Sequence, residues 1–307
     1  MLAIKKVFLF ASFSFLFFIL SLTIPITGIF FLPLSSISLT ILFVKSGILW
    51  GLVGIIIPTV IIYNSFYLGD ILSFVFILFV ALNSLLLYSG IKRKGNCWQI
   101  VVDSCITISL ISITVVLLFI INGFQVSWID PKIVVNLPKD IPAAFVEIIT
   151  RNIYSIIVIF VIVIVVLSYI FLSLVADKFN LNLKKLPSFE KWRLPEVVIF
   201  AFIFSLLFYI VFKHTGLVTV GQVKNAVLFQ IVENIFNLIF FLYFIGGLAL
   251  CKFFFSRSKA MLILSYIAFI LYSPLAVFLS VLDIWFDFRK KKKNAAELSP
   301  ENTEKSG

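Results

Sequence analysis

The sequence feature that most limits the fold is a succession of apolar runs, each roughly 18 to 25 residues long and so matched to the ~20 residues that cross a bilayer as a helix. The shorter alternating segments of a membrane barrel, about 10 residues each, are missing. Of the 307 residues, 62% are hydrophobic and 13% are charged, whereas a soluble domain is about 45–50% apolar. We therefore predict an all-α, polytopic integral membrane protein.

Basic residues between the runs indicate which loops face the cytoplasm. Placing the basic segments inside the cell satisfies the positive-inside rule through eight spans; these segments are Lys5 and Lys6, Lys92 to Lys94, Lys184 to Arg193, and the turn at 252–259. A ninth run, 261–281, contains Pro274, which predicts a kink. If this run also crosses, Arg289 to Lys293 lie outside the cell. The sequence therefore predicts eight or nine spans and leaves the choice open.

Charge and composition also bound the domains, the location and the partners. Residues 1–290 read as a single transmembrane domain, and the polar tail 291–307 has too few apolar residues to fold. The net charge of +11 lies between the apolar runs and in this tail, so membrane topology explains it and we expect no nucleic-acid partner. We expect a multi-pass protein of the bacterial cytoplasmic membrane, in contact with lipid and with other membrane proteins.

Several small features predict how the spans pack. The pairs Gly51/Gly54 and Gly246/Gly247 predict close approach of a neighbouring helix. Asn83 lies inside the fourth span. The sixth span, 154–176, is almost featureless, and we predict that it faces lipid.

The residues that usually carry catalysis are scarce. The three cysteines and the one histidine are Cys97, Cys105, Cys251 and His214, and no two of them have the spacing of metal ligands. Glu233 is the one carboxylate deep within an apolar run, so it has no paired acid or base in sequence. We expect no enzyme activity, no metal and no cofactor.

The eighth run, 225–255, carries polar residues on one face. Gln230, Glu233, Asn234 and Asn237 follow i, i+3, i+4, i+7 spacing. A carboxylate at membrane depth costs about 3 kcal/mol or more, so it should face protein, water or ligand. Two interpretations remain: a small-molecule site between helices, or hydrogen bonds that join the helices without a ligand.

The C-terminal sequence DIWFDFRKKKK offers a second candidate site. Asp283 and Asp287 are one turn apart, Trp285 suits the headgroup layer, and Arg289 begins a basic run. These residues could recruit a protein partner to a membrane scaffold. The alternative is a helix end followed by a polybasic stretch that is attracted to anionic lipid.

Four motifs carry a resemblance to a known family: LPL at Leu32–Leu34, FEKWRLPE at 189–196, IGGLAL at 245–250 and LDIWFDFRK at 282–290. Taken together over nearly the whole chain, they resemble the YybS-like bacterial membrane proteins, domain of unknown function 2232. That family is similar to the S components of energy-coupling factor transporters, which implies binding and uptake of a small molecule. The first helix departs from the AxxxA docking pattern of S components, because Phe15 stands four positions after Ala11.

Overall fold

The computed structural model describes residues 2–24, 28–121, 148–149, 151–181, 183–214, 223–256 and 258–290. Within these ranges all regular secondary structure is helical, which confirms the all-α prediction. The predicted tail 291–307 and most of the segment between the fifth and sixth spans lie outside the described residues.

The chain forms two compact units, Met1–Leu186 and Pro187–Gly307. The first unit contains α1 (Leu2–Thr23), α2 (Gly28–Ser46), α3 (Ile48–Ser65), α4 (Gly69–Val75), a π-helical turn (Phe76–Ala81), α5 (Leu82–Lys92), α6 (Cys97–Ile121) and α7 (Ile153–Val175). The second contains a 3₁₀ turn (Phe189–Lys191), α8 (Val197–His214), α9 (Val223–Phe255), α10 (Lys259–Leu271) and α11 (Ser273–Phe286). The prediction of one domain over 1–290 stays a prediction, since compactness alone does not determine whether the units fold separately.

The described helices are long enough for a polytopic protein. Seven of them could cross a bilayer by length and composition, with α4, the π turn and α5 forming one continuous crossing. The bent pair α10 and α11 would add an eighth if it were one broken span. Helix α8 has a shorter apolar segment, Val197–Phe212. All nine predicted runs are therefore helical, but only seven of them form a helix long enough to be a candidate span by itself.

The first unit is built around α2, whose side chains are mostly buried, and around α7. Val161, Val165, Tyr169 and Leu172 of α7 lie in the largest apolar core, and the Tyr169 hydroxyl donates to the Lys184 carbonyl at 2.6 Å. The prediction that the sixth span simply faces lipid is therefore wrong. Its uniform apolarity misled because a helix interface inside a membrane is as apolar as the lipid surface.

Buried hydroxyl and amide groups join the spans of this unit. Asn83 donates to the Ser168 hydroxyl at 3.0 Å, from α5 to α7. The Ser84 hydroxyl donates to the Ser36 carbonyl at 2.9 Å, which ties α5 to α2. Each such bond satisfies a polar group that would otherwise be buried in hydrocarbon. The predicted Asn83 therefore acts as a contact between helices.

Both predicted glycine pairs mark close helix approaches. A Cβ on Gly51 would overlap the Phe43 ring, and one on Gly54 would overlap the Leu42 side chain, so α3 packs directly on α2. On α9, a Cβ at Gly247 would overlap the Ala276 backbone carbonyl of α11. The prediction from small residues is confirmed, and the structure identifies the partner helix in each case.

Helices α8 and α9 of the second unit run antiparallel. Phe202, near the start of α8, contacts Tyr243 late in α9 with ring centroids 5.2 Å apart. Tyr209, late in α8, stacks on Phe229 near the start of α9 at 6.0 Å. Because the two helices lie side by side over this length, we expect α8 to cross the membrane together with α9.

The ninth run forms two helices in place of one kinked span. α10 and α11 meet at Tyr272 with a bend of 110°. Pro274 stands in the first turn of α11, where its missing N–H needs no partner. A kink at Pro274 was the prediction; the structure has a reversal of direction at the residues just before it.

The lengths of α10 and α11 favour a hairpin that does not cross the membrane. α10 and α11 have 13 and 14 residues, so each is about 20 Å long, against about 30 Å of hydrocarbon. The start of α11 contacts α9 at Gly247, which lies only about 12 Å from the end of α9 at 1.5 Å per residue. Ile270 and Leu271 at the bend are 68% and 80% exposed, as suits a tip that lies in lipid. We therefore expect a re-entrant hairpin.

A re-entrant hairpin predicts that the C-terminal end lies on the same side of the membrane as residues 187–196. In a variant with the three cysteines replaced by serine, Lys191→Cys and Lys290→Cys should both resist an impermeant maleimide in intact cells and react after permeabilisation. Tyr67→Cys, fully exposed in the turn between α3 and α4, is the opposite-side control and should react directly. Labelling of Lys290→Cys in intact cells would mean that the ninth run crosses.

The glycine contacts predict a graded loss of stability. Gly247→Ala should lower the unfolding free energy by about 1–3 kcal/mol, because its Cβ meets backbone that cannot rotate away. Gly246→Ala meets the Ser280 hydroxyl, a side chain that can move, and should cost less. Thermal unfolding in lipid nanodiscs measures both. An unchanged or raised melting temperature for Gly247→Ala would contradict the close contact, since alanine otherwise favours a helix over glycine.

Candidate functional site

The polar face of α9 is buried as the sequence predicted. Glu233 and Asn234 are 5% and 7% exposed, and Gln230 and Asn237 are half-buried. The Asn234 amide donates to the Gln230 carbonyl at 2.7 Å, one turn back along the helix. The four side chains therefore form one polar strip on the helix that we expect to cross the membrane.

This strip is separate from the faces that α9 uses to pack within its unit. Phe229, Phe236 and Tyr243 contact α8, and at 3.6 residues per turn these residues lie about 110° around the helix from the centre of the polar strip. Gly246 and Gly247 contact α11. The centre of the strip is therefore offset from the aromatic face, and Glu233 lies at the nearer edge of the strip, about 60° from that face. Chemically, the strip offers a carboxylate that accepts hydrogen bonds and three amides that both donate and accept.

Three of the four C-terminal candidate residues, Asp283, Asp287 and Arg289, form an ionic cluster with Arg193. Arg289 Nε lies 3.0 Å from Asp283 Oδ2, and the two side chains are only 12% and 3% exposed. Arg193 Nη1 lies 3.2 Å from Asp287 Oδ1 in a more open pair. The cluster therefore joins the segment before α8 to the end of α11.

Backbone carbonyls complete the cluster. Arg193 Nη2 donates to the carbonyls of Asp283 and Ile284 at 3.2 and 3.0 Å near the end of α11, where the last carbonyls lack helical partners. The Asp283 carbonyl also accepts from the Asp287 N–H at 3.1 Å. Arg289 Nη1 donates to the carbonyls of Glu190 and Trp192 at 2.7 and 3.0 Å. Arg193 thus binds the end of α11, and Arg289 binds the segment before α8.

The charged side chains of Arg289 and Asp283 are largely shielded from water. Burial lowers the pKa of the Arg289 guanidinium, and the adjacent Asp283 carboxylate opposes that effect. Each of these two buried charges stabilises the other, since a buried charge without a partner costs several kcal/mol.

The hypothesis of a membrane scaffold stays a prediction, and the structure reduces the number of residues that are accessible to a partner. Asp283 and Arg289 point into the chain, where they bind each other. Trp285 is 62% exposed and is the most accessible of the four residues proposed for a partner. Any recruitment would therefore use Trp285 and the basic run that follows.

Sequence reasoning missed Arg193. The motif FEKWRLPE was used only for the family resemblance and for the sidedness of its loop, yet its arginine caps α11 and pairs with Asp287. One signal was available: two acidic residues one turn apart near the C-terminus need cationic partners, and this motif holds basic residues at a loop on the same predicted side.

The two ion pairs predict different responses to loss of one partner. Asp283→Ala should lower the unfolding free energy by about 3–5 kcal/mol, because it leaves Arg289 buried and unpaired. Asp177→Ala is the matched control. It removes an acid whose pair with Lys185 is 85% and 71% exposed, so it should cost at most about 1 kcal/mol. Equal melting temperatures for the two variants would contradict a buried, structural role for Asp283.

A family model described as a predicted membrane protein, DUF2232, matches residues 126–285. Comparison with curated proteins and with solved structures finds no match.

The matched segment is shorter than the resemblance over nearly the whole chain that the motifs suggested. It contains FEKWRLPE, IGGLAL and the first four residues of LDIWFDFRK, whereas the LPL motif at Leu32–Leu34 lies before it. The segment includes the polar strip, Arg193 and Asp283, whereas Asp287 and Arg289 lie after it. Because the family model matches slightly more than half of the 307 residues, the chain belongs to the DUF2232 family of predicted membrane proteins.

Proposed function

We propose that this protein binds a small polar molecule within the bacterial cytoplasmic membrane and takes part in its uptake, with the polar strip of α9 as the binding surface. The observation that carries the proposal is the burial of the Glu233 carboxylate beside the Asn234 amide on one face of a crossing helix. An ionisable residue at this depth is expensive, and in membrane proteins such residues usually serve a ligand or ion.

The chemistry of the strip indicates the class of ligand. A carboxylate in a low-dielectric site stabilises a cationic or amine-bearing group, and the flanking amides can orient further polar groups. The resemblance to S components of energy-coupling factor transporters supports the same class of function. That resemblance is one of fold, so the site has to carry the functional argument.

Structural hydrogen bonding is the competing explanation, and substitution separates the two. Glu233→Gln keeps the shape and most hydrogen bonds of the side chain but removes its charge. Loss of a charged hydrogen bond worth about 1.5–3 kcal/mol should weaken binding about 10- to 100-fold. If Glu233 serves only to hydrogen-bond neighbouring helices, Glu233→Gln should leave both the bound small molecule and the melting temperature close to those of the unsubstituted protein.

The experiment is native mass spectrometry of protein extracted with its surrounding lipid, followed by identification of small molecules released on denaturation. The unsubstituted protein should carry a small molecule that Glu233→Gln loses, with the same melting temperature and elution volume. Tyr243→Phe is the matched control, since it removes one buried hydroxyl from the face of α9 that contacts α8. A folded Glu233→Gln variant that retains the same molecule would refute the charged site.

A further inference from the structure

A cavity of about 500 Å³ lies between the last turns of α9 and the α10–α11 hairpin. Leu250, Cys251 and Phe254 line it from α9, Leu264 from α10, and Phe288 from the residues after α11. Its volume falls within the range of about 300–1,000 Å³ that small-molecule sites occupy. The cavity is distinct from the polar strip, which lies about four turns earlier on α9.

The residues that line this cavity suit a hydrocarbon chain. Almost all of it is carbon, and the hydroxyl of Ser265, which also lines the cavity, donates to the Met261 carbonyl at 2.7 Å within α10. Water does not fill an apolar cavity of this kind. A peptide is equally unsuited, because its backbone groups would find no partners there.

Basic residues stand at one end of every segment that bounds the cavity. Lys252 follows Cys251 on α9, Lys259 begins α10, and Lys290 comes two residues after Phe288. Lys259 and Lys290 are exposed, and Lys252 Nζ lies 6.0 Å from the centre of the Phe189 ring.

Within 187–214, 223–256 and 258–290, the structure pairs none of these lysines with an acid. Asp283 and Asp287 are paired with Arg289 and Arg193, and Glu190 is followed by Lys191. Three lysines therefore remain as a net positive rim. Because we expect a re-entrant hairpin, we place this rim at the membrane surface and the apolar cavity just beneath it.

We propose that the cavity holds an acyl chain of an anionic phospholipid, with the phosphate at Lys252, Lys259 and Lys290. An apolar slot one to three turns below a basic rim matches the two parts of such a lipid, and basic residues near a membrane surface attract anionic headgroups. The lipid would fill the angle between α9 and the hairpin. This inference is independent of the proposed small-molecule site.

The test compares retention of palmitoyl-oleoyl phosphatidylglycerol with that of the phosphatidylcholine carrying the same chains, by native mass spectrometry. The unsubstituted protein should retain the anionic lipid about tenfold better, since each basic residue near the surface strengthens its attraction several-fold. Lys252→Gln, Lys259→Gln and Lys290→Gln combined should remove that preference. Lys92→Gln, Arg93→Gln and Lys94→Gln combined, which remove the same charge from another basic loop, should preserve it.

A second measurement addresses the cavity itself. Ala268, which lines the cavity and is exposed, can be replaced by Phe to fill the space, and retention of phosphatidylglycerol should fall about as far as in the rim variant. With Cys97 and Cys105 replaced by serine, phosphatidylglycerol should also slow alkylation of Cys251. Equal retention of the two lipids, an equal loss in both triple variants, or unchanged retention by folded Ala268→Phe would each overturn the proposal.

Discussion

The ion pair between Asp283 and Arg289 determines how the C-terminal third of the chain is arranged. Both side chains are buried, and a buried charge has to be paired where it lies. Because Arg289 also binds the carbonyls of Glu190 and Trp192, the pair brings the end of α11 back to the segment that leads into α8. A hairpin whose end is held there cannot also deliver the chain to the opposite surface.

Helix α9 is the common element of the second unit, and its length lets it present different chemistry to different neighbours. Aromatic residues contact α8, the pair Gly246 and Gly247 admits α11, and the polar strip around Glu233 is buried on a third face. Near the end of the helix, Cys251 and Phe254 line the apolar cavity. A polar ligand site and a lipid site can thus coexist on one helix, because they lie at different depths along it.

Hydropathy and residue type predicted the helices, the glycine contacts and the polar strip, since each of these follows from local sequence. They did not predict the central place of α7, because the lipid and the protein interior are both apolar and hydropathy cannot tell the two faces apart. Nor did they predict the reversal at Tyr272: Pro274 indicates a break, but the angle depends on packing against Gly247. The pairing of Arg193 with Asp287 joins residues 94 positions apart. The sequence indicates that these acids need cationic partners, but it does not identify which basic residue pairs with which acid.

The most direct test of this arrangement is a crosslink between the two segments that the ionic cluster joins. In a variant without native cysteines, Arg193→Cys and Asp287→Cys should be joined by a short thiol-specific crosslinker in native membranes, while Asp283 and Arg289 remain to hold the segments together. Arg193→Cys with Leu228→Cys, at the far end of α9, is the control pair and should not be joined. Efficient crosslinking of the first pair alone is the predicted result; crosslinking no greater than in the control would contradict the re-entrant hairpin and the cluster that closes it.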